Sequence, residues 1–410
     1  VAPRVAVLHH KRSFFPLELK EQVGDAAELL WLVSGTDPDS VTERQLLRRL
    51  GTVLDLAGMG IDEAAAALGA LRPDGIVSFV DEHIETAAQL AGRLGLRYHS
   101  PEVARAVVDK RVQRDRLAGA GVAGPRYVSI TTGASVAYVG HAVGDLDFPV
   151  VLKPAEGSAS RGIRLVESLA ELVALPEVAS GRFAGVLEEY MPDDPGRDPR
   201  FASYLSVESV VSHGAVSHVA ITGRFPLASS FRETGNFIPA CVDPSETAAI
   251  TDLAEQAVKA LGIVDSVVHT EIKVTPEGPK IIEVNGRLGG RPPFVLLEVS
   301  DVNLFAMACA VAVGTPVRVD DLVDCDGVGF LLLVQPPATA RSVASIDGLD
   351  ALGAVPGVRR VNVMRSPGTS IDASAGTGAK VLTVQGRVAD HDALAETVKG
   401  IERGLTIRYS

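Results

Sequence analysis

The sequence is poor in the residues that build crosslinks, metal clusters and broad anion-binding surfaces. Its three cysteines, Cys241, Cys309 and Cys325, are far apart and form no C-x-x-C pair. That disfavours a zinc site or a disulfide framework and suits a reducing cytoplasm. Basic residues are outnumbered, 39 Lys and Arg against 51 Asp and Glu, for a formal net charge of −12. The deficit argues against general binding to nucleic acid or an anionic membrane, while leaving room for a local basic pocket around a small anion. The opening VAPRVAVLHH carries no signal-peptide h-region or cleavage site, so a cytoplasmic location is the expectation. The apolar run Phe294 to Val313 is interrupted by Glu298, Asp301 and Asn303, which makes it a buried helix rather than a membrane span. No G-x-G-x-x-G follows the first strand, so no dinucleotide site is expected there.

What remains is a globular chain. Apolar residues make up 46% and charged residues 22%, and 410 residues suffice for two or three domains. Apolar runs at residues 4–8, 29–33 and 75–79 alternate with helical stretches at 41–50, 61–71 and 82–94. Strand alternating with helix predicts a parallel, doubly wound sheet, whose ligands sit beyond the carboxyl ends of the strands. His9, His10 and Asp81 fall at such ends. The pattern changes near Ser100-Pro101, where residues 103–120 read as one helix containing Asp109-Lys110. From this we expect an N-terminal α/β unit over 1–108. A central unit over 109–324 is divided into a smaller part at about 109–190 and a larger part at about 191–324. A small α+β unit occupies 325–410.

The central unit holds the residue types that carry chemistry. A strand ending at Lys153 is followed by Ala155-Glu156-Gly157-Ser158-Ala159-Ser160-Arg161-Gly162, a hairpin loop of small residues able to bring backbone N–H groups against phosphate oxygens. It is not a Walker A loop, because Ile163 and Arg164 stand where Lys and Ser/Thr would be. A strand at 184–191 carries Glu188 and Glu189. Residues 222–240 read as a long polar loop of the kind that serves as a lid or binding loop. The stretch 267–291, VVHTEIKVTPEGPKIIEVNGRLGGR, reads as a hairpin about Glu277. Glu271 then lies opposite Glu283, and His269, Lys273, Asn285 and Arg287 share their face. Ile272, Val274, Ile282 and Val284 form the apolar face. Two close carboxylates need a cation between them, and hard oxygen ligands completed by phosphate oxygens suit Mg²⁺.

Taken in order, Lys110, Lys153, the 157–162 loop, Glu188-Glu189-Tyr190-Met191, Glu271 and Glu283-x-Asn285-x-Arg287 resemble the ATP-grasp superfamily. HTEIKVTPEGPKIIEVNGRLGG is similar to its branch of bacterial L-amino acid ligases and related carboxylate–amine ligases. The resemblance covers nearly the whole chain. It implies an α/β and α+β architecture, with an N-terminal Rossmann-like domain, a two-part ATP-grasp core and a small C-terminal α+β domain. It also implies ATP and two Mg²⁺ ions, with Mn²⁺ able to substitute. Lys110 and Lys153 resemble the lysines on the nucleotide phosphates, Lys153 also lying near adenine. Gly157, Ser158, Ala159, Ser160 and Gly162 resemble the lid over those phosphates. Glu188 resembles the acceptor for the adenine amino group, and the backbone of Glu189, Tyr190 and Met191 the reader of the ring edge. Tyr204 falls near the place of an acid that binds ribose in many relatives.

By the same resemblance, Glu271, Glu283 and Asn285 are the metal ligands, Glu283 bridging both ions. Arg287 holds the transferring phosphoryl group and joins Lys153, Glu271 and Glu283 as the catalytic set. His269, Glu233, Asn236, Arg287, Gly290 and Arg291 fall to substrate. Asn236 replaces the histidine of the usual Glu-x-Gly-His, and Arg291 stands where relatives size the pocket.

The chemistry so implied joins a carboxylate to an amine, with amino acids as the expected pair. ATP activates the carboxylate as an acyl phosphate, the amine attacks, and ADP and phosphate leave. Water must be kept out, and the 157–162 and 222–240 loops are the candidates for closing the site. The implied partners are small molecules, with no nucleic acid and no membrane, and a homodimer is the assembly to test. Two other readings compete: an ATP-grasp carboxylase activating bicarbonate, and a catalytically silent ATP-binding module.

Overall fold

A computed structural model describes residues 2–11, 13–35 and 38–410, and among these the strands form four sheets. The first is parallel: β1 (Arg4–Leu8), β2 (Glu28–Val33), β3 (Thr52–Asp55) and β4 (Gly75–Ser78), in the order β3-β2-β1-β4. β3 adds to the three strands expected from the sequence. It is a four-residue edge strand, TVLD, with no fully buried residue, so it lacks the apolar run that marks its neighbours. The carboxyl end of β4 leads straight to Asp81, at the mouth of the cleft described below.

The second sheet is antiparallel: β5 (Tyr127–Ile130), β6 (Val150–Pro154), β7 (Arg164–Val166) and β8 (Gly185–Glu189), in the order β5-β8-β6-β7. Register sets Val151 opposite Glu188 and Lys153 opposite Val186, so Lys153 and Glu188 are diagonal neighbours on one face.

The remaining strands are β9 (Tyr204–Ser212), β10 (Ala215–Arg224), β11 (Gly235–Ile238), β12 (Ser266–Thr275), β13 (Gly278–Asn285), β14 (Val328–Val334), β15 (Val343–Asp347), β16 (Val358–Val363), β17 (Leu382–Val388) and β18 (Thr406–Tyr409). β15 and β18 pair with each other. The rest form one eight-stranded sheet, ordered β13-β12-β9-β10-β11-β14-β17-β16. The strands from the C-terminal region therefore extend the sheet that carries the β12–β13 hairpin, through the pairing of β14 with β11. Behind β12 and β13 lies the helix Pro244–Leu261. A capping box between Asp243 and Glu246 opens it and left-handed Gly262 closes it, as its amphipathic sequence predicts.

Four local expectations change. The helix expected over 103–120 is two, Pro101–Val108 and Lys110–Gly119. Buried Asp109 leaves the helical region, and its carboxylate accepts from Arg111 N (2.9 Å), so it caps the second helix. The helix expected over 294–313 is also two, Pro292–Leu296 and Leu304–Ala312, the second capped by Asn303. The long loop expected over 222–240 is shorter, because β10 runs to Arg224 and β11 forms inside it. Finally, the β12–β13 register holds Glu271 opposite Glu283 but shifts between Glu271 and Ile272, placing Ile272 opposite Ile281. Such a bulge puts one extra residue on β13 and turns one side chain to the other face. Ile281, not Ile282, therefore enters the core, with Ile272, Val274 and Val284, and Ile282 faces the cleft.

Gly185 of β8 pairs with Pro154 of β6, and a Cβ there would lie 2.0 Å from the Lys153 carbonyl oxygen. Gly185→Ala is expected to force the two strands apart and cost about 1–3 kcal/mol, read as a lower midpoint in urea or heat. An unchanged midpoint would contradict this pairing.

Candidate active site

The second sheet, the hairpin sheet and the end of the first sheet enclose a cleft of about 1650 Å³. Pockets for one drug-sized molecule span roughly 300–1,000 Å³, so this one has room for more than a single ligand. Every residue given a site role by the resemblance lines it except Gly162; of the strand-end residues His9, His10 and Asp81, Asp81 lines it and the two histidines do not. Gly162 has φ +74, and a Cβ there would meet Pro154 at 2.9 Å, so its part is to close the turn beneath the loop.

Lys110 opens the helix that Asp109 caps, and this fixes where its side chain goes. Its Nζ lies 2.9 Å from Glu283 and donates to the Gly157 carbonyl at 3.0 Å. Burial works to lower its pKa, but the Glu283 carboxylate outweighs it and the net shift is upward, so Lys110 is charged. It thus links the hairpin to the small-residue loop.

Glu188 is 2% exposed and uses both oxygens: Lys153 Nζ is 2.7 Å from one and Arg114 Nε 2.6 Å from the other. Burial raises the pKa of such a carboxyl, but Arg114 and Lys153 overcome it and hold Glu188 down at about 2. Arg114 also donates to the carbonyls of Ile281 and Ile282, tying this cluster to β13. Further lone pairs remain on the Glu188 oxygens, so an additional N–H donor is still acceptable there.

The hairpin face is as expected in its pairing, and its neighbours add charge. Burial raises the Glu271 pKa, yet His269, Arg224 and Arg287 bring it down to about 2. His269 Nδ1 is 2.9 Å from Glu208 and its Nε2 is 3.4 Å from Glu271. Burial alone would lower its pKa, but Glu208, with help from Glu271, pushes it up to about 9. Glu208 is 1% exposed and also accepts from Ser206 (2.9 Å) and Thr222 (3.1 Å). Asn285 Oδ1 accepts from Arg287 Nη2 at 3.3 Å. Arg287 itself is gripped by both oxygens of Asp81, at 2.9 and 2.6 Å, so the first sheet reaches the hairpin through this ion pair. Among the described residues no three His, Cys, Asp or Glu side chains form a self-sufficient metal site. Glu271, Glu283 and Asn285 suit a hard cation completed by oxygens of a bound ligand.

The loop 157–162 rests on its neighbours. Ser160 Oγ donates to the Phe231 carbonyl at 2.8 Å, Arg161 reaches Glu82 at 3.1 Å, and Thr377 N donates to the Ala159 carbonyl at 3.2 Å. At the far end stand Glu233, Asn236, Gly290 and Arg291. Glu233 is 3.1 Å from buried Arg224, whose other contacts are Ser206 (3.0 Å) and His269 (3.2 Å). Asn236 Oδ1 and the Tyr204 hydroxyl are buried without a partner. Arg291 does not pair with Glu298, which is held by Arg359 at 2.7 Å. Its guanidinium lies over Phe294 and 3.7 Å from Glu18.

Five contributors were not foreseen as site residues: Arg114, Glu208, Arg224, Asp81 in its pairing role, and the C-terminal segment around Thr377 and Lys380. A lone charged residue in an otherwise apolar strand, such as Glu208 in YLSVESVV or Arg224 at the end of β10, was the available signal.

The ATP-grasp domain profile matches residues 107–291, the span that holds both lysines and the hairpin. Residues 107–291 are an ATP-grasp domain. The L-amino acid ligase from Bacillus licheniformis superposes on the whole fold with a TM-score of 0.78, covering 100% of this chain and 99% of that one, at 19% identity. An uncharacterized Sinorhizobium fredii protein, y4rH, is 29% identical over 304 residues, 72% of this chain and 60% of that one. Alanine–anticapsin ligase of Bacillus subtilis is 25% identical over 234 residues, 53% of this chain and 49% of the ligase. The chain thus spans three-fifths of the length of the first of these two relatives and about half of the second. The ATP-grasp core is accompanied by α/β and α+β elements on either side, and among the described residues no helix is long and apolar enough to cross a membrane.

The Glu188 cluster of this ATP-grasp domain sets a pH dependence. A carboxyl held at about 2 against an ordinary 4.5 contributes stability that is full above pH 4.5 and lost as pH falls through about 2. The contribution is about 3 kcal/mol. Glu188→Gln is expected to lower stability at pH 7 and flatten its decline below pH 4.5, measured by urea unfolding across pH. An acid limb as steep as wild type would contradict the assignment.

Proposed function

We propose that this chain is an ATP-dependent ligase that activates a carboxylate by phosphoryl transfer and joins it to an amine, most simply an amino acid, releasing ADP and phosphate. The observation that supports it is the convergence of Lys110, Lys153 and Arg287 with Glu271, Glu283 and Asn285 in one cleft wide enough for nucleotide and substrates. The donor set fits a Mg²⁺-bound nucleotide: two facing carboxylates and an amide for hard cations, with buried lysines beside them for phosphate oxygens. Bound nucleotide supplies the phosphoryl group and two Mg²⁺ (or Mn²⁺) its charge neutralisation. The rest falls to this chain's side chains. Glu271, Glu283 and Asn285 hold the metal. Lys110 and Lys153 bind phosphate oxygens, and the 157–162 loop covers them. Glu188 and the backbone of residues 189–191 receive the base, with Ile282 as an apolar surface for it.

Arg287 is kept in place by Asp81 and by the Leu288 carbonyl, which accepts from its Nη1 at 3.0 Å, and brings its fixed positive charge to the reacting group. His269, wedged between Glu208 and Glu271, holds the second carboxylate at its station. Glu233, Asn236, Gly290 and Arg291 form the end that takes the substrates.

Amine-dependent phosphate release, measured without bicarbonate over pairs of amino acids, tests the reading, with products identified by mass. Glu283→Gln is expected to lower turnover at least a hundredfold while leaving the fold intact. Lys153→Met is expected to weaken ATP binding by about 1.5–3 kcal/mol, roughly ten- to a hundredfold, because a charge-assisted bond to phosphate is lost. Bicarbonate-dependent, amine-independent phosphate release would favour a carboxylase instead. Full activity in Glu283→Gln would remove the metal assignment.

A further inference from the structure

The C-terminal region lines the cleft with a lysine that, among the described residues, has no counter-ion. Lys380 follows the 3₁₀ segment Ala373–Ala379 and precedes β17, and it lines the cleft together with Arg291. Its backbone is fixed: Arg365 donates to its carbonyl, and the neighbouring Val381 N–H donates to Val334 O at 2.9 Å. Among the described residues no carboxylate lies within ion-pair distance of its Nζ. The charges nearby are Arg291, Arg365 and Glu233. Glu233 already serves Arg224 at 3.1 Å, and Gln335 Nε2 holds its carbonyl at 2.7 Å. Asp372, the other acid on this wall, accepts from both N (2.9 Å) and Oγ (2.6 Å) of Ser374. Arg291 pairs with Glu18, at 3.7 Å. Among the described residues Lys380 thus brings to this cavity a cation with no carboxylate partner, near an arginine whose carboxylate partner stands 3.7 Å away, in a chain whose net charge is −12.

A half-buried ammonium with cationic neighbours is costly unless an anion joins it. Burial and the nearby Arg291 and Arg365 shift the Lys380 pKa downward, in keeping with a site awaiting one. We propose that Lys380 and Arg291 together form a specificity site for a carboxylate substrate bearing a second anionic group, a carboxylate or a phosphate monoester, distal to the reacting carboxylate. The guanidinium donates to the planar or tetrahedral group and the ammonium adds a point charge. The proposal rests on the ligase reading for the fate of the reacting carboxylate, but not for the recognition of the second anion.

The test is therefore a binding measurement. Calorimetry on the full chain, with ADP and Mg²⁺ present, compares aspartate, glutamate and O-phosphoserine with asparagine, glutamine and serine. The acidic member of each pair is expected to bind at least tenfold more tightly, and the identity of the best acid separates carboxylate from phosphate as the second group. Lys380→Met and, independently, Arg291→Gln are expected to erase most of that preference while leaving ADP affinity within twofold. Lys380→Arg should retain it. Equal affinities within each pair, or a preference that survives both Lys380→Met and Arg291→Gln, would overturn the proposal. Phosphate release with the same acids and an amine is followed alongside. Intact preference with no release would overturn the ligase reading alone, whereas release confined to uncharged acids would overturn the specificity site alone.

Discussion

Two carboxylates held side by side by a β ladder repel each other, and much of the cleft is arranged around that repulsion. The β12–β13 register fixes Glu271 against Glu283 whatever else binds. Opposed residues of an antiparallel pair lie about 4.5–5.5 Å apart, so neither acid can escape its neighbour by backbone movement. Lys110 answers Glu283, and His269 answers Glu271. Each answering cation is itself tied down, Lys110 by the Gly157 carbonyl and His269 by Glu208. The negative face is therefore kept ionised and oriented by groups drawn from a helix, a loop and a neighbouring strand.

Arg287 extends this arrangement across the molecule. It sits two residues past β13, yet its partner Asp81 comes from the end of the first, parallel sheet. Each ion of the pair is largely buried, and such pairs hold only when both members are present. The N-terminal unit thus contributes carboxylates from just past a strand end, Asp81 to Arg287 and Glu82 to Arg161, at the place where open α/β sheets receive ligands.

The parts legible in the sequence were those with a local pattern. Period-two polarity around a Pro/Gly turn was enough for the facing carboxylates, and the small-residue run after Lys153 was enough for the loop. The bulge was not legible, because Ile281 and Ile282 are adjacent and equally apolar, so either satisfies the core. Nor does anything in KRVQRDRLAG distinguish Arg114, which meets Glu188, from Arg111, which stays with Asp109. Glu208, Arg224 and Lys380 draw their roles from partners distant in the chain. Residues 325–410 hold no cluster of catalytic residue types in the sequence, yet Thr377 and Lys380 line the cleft.

The continuity of the eight-stranded sheet bears on how such chains can be cut and recombined. β11 has only four residues, and its hydrogen bonds are shared between β10 on one side and β14 on the other. Severing the chain before β14 would strip one whole edge from β11 and leave an open, apolar ladder, a template for intermolecular strand addition. Chimaeras that exchange the C-terminal region between relatives must therefore carry β14 and β17 as part of the sheet that holds the β12–β13 hairpin. A junction in the exposed stretch near Val264, between the long helix and β12, would split the sheet elsewhere but spare that edge.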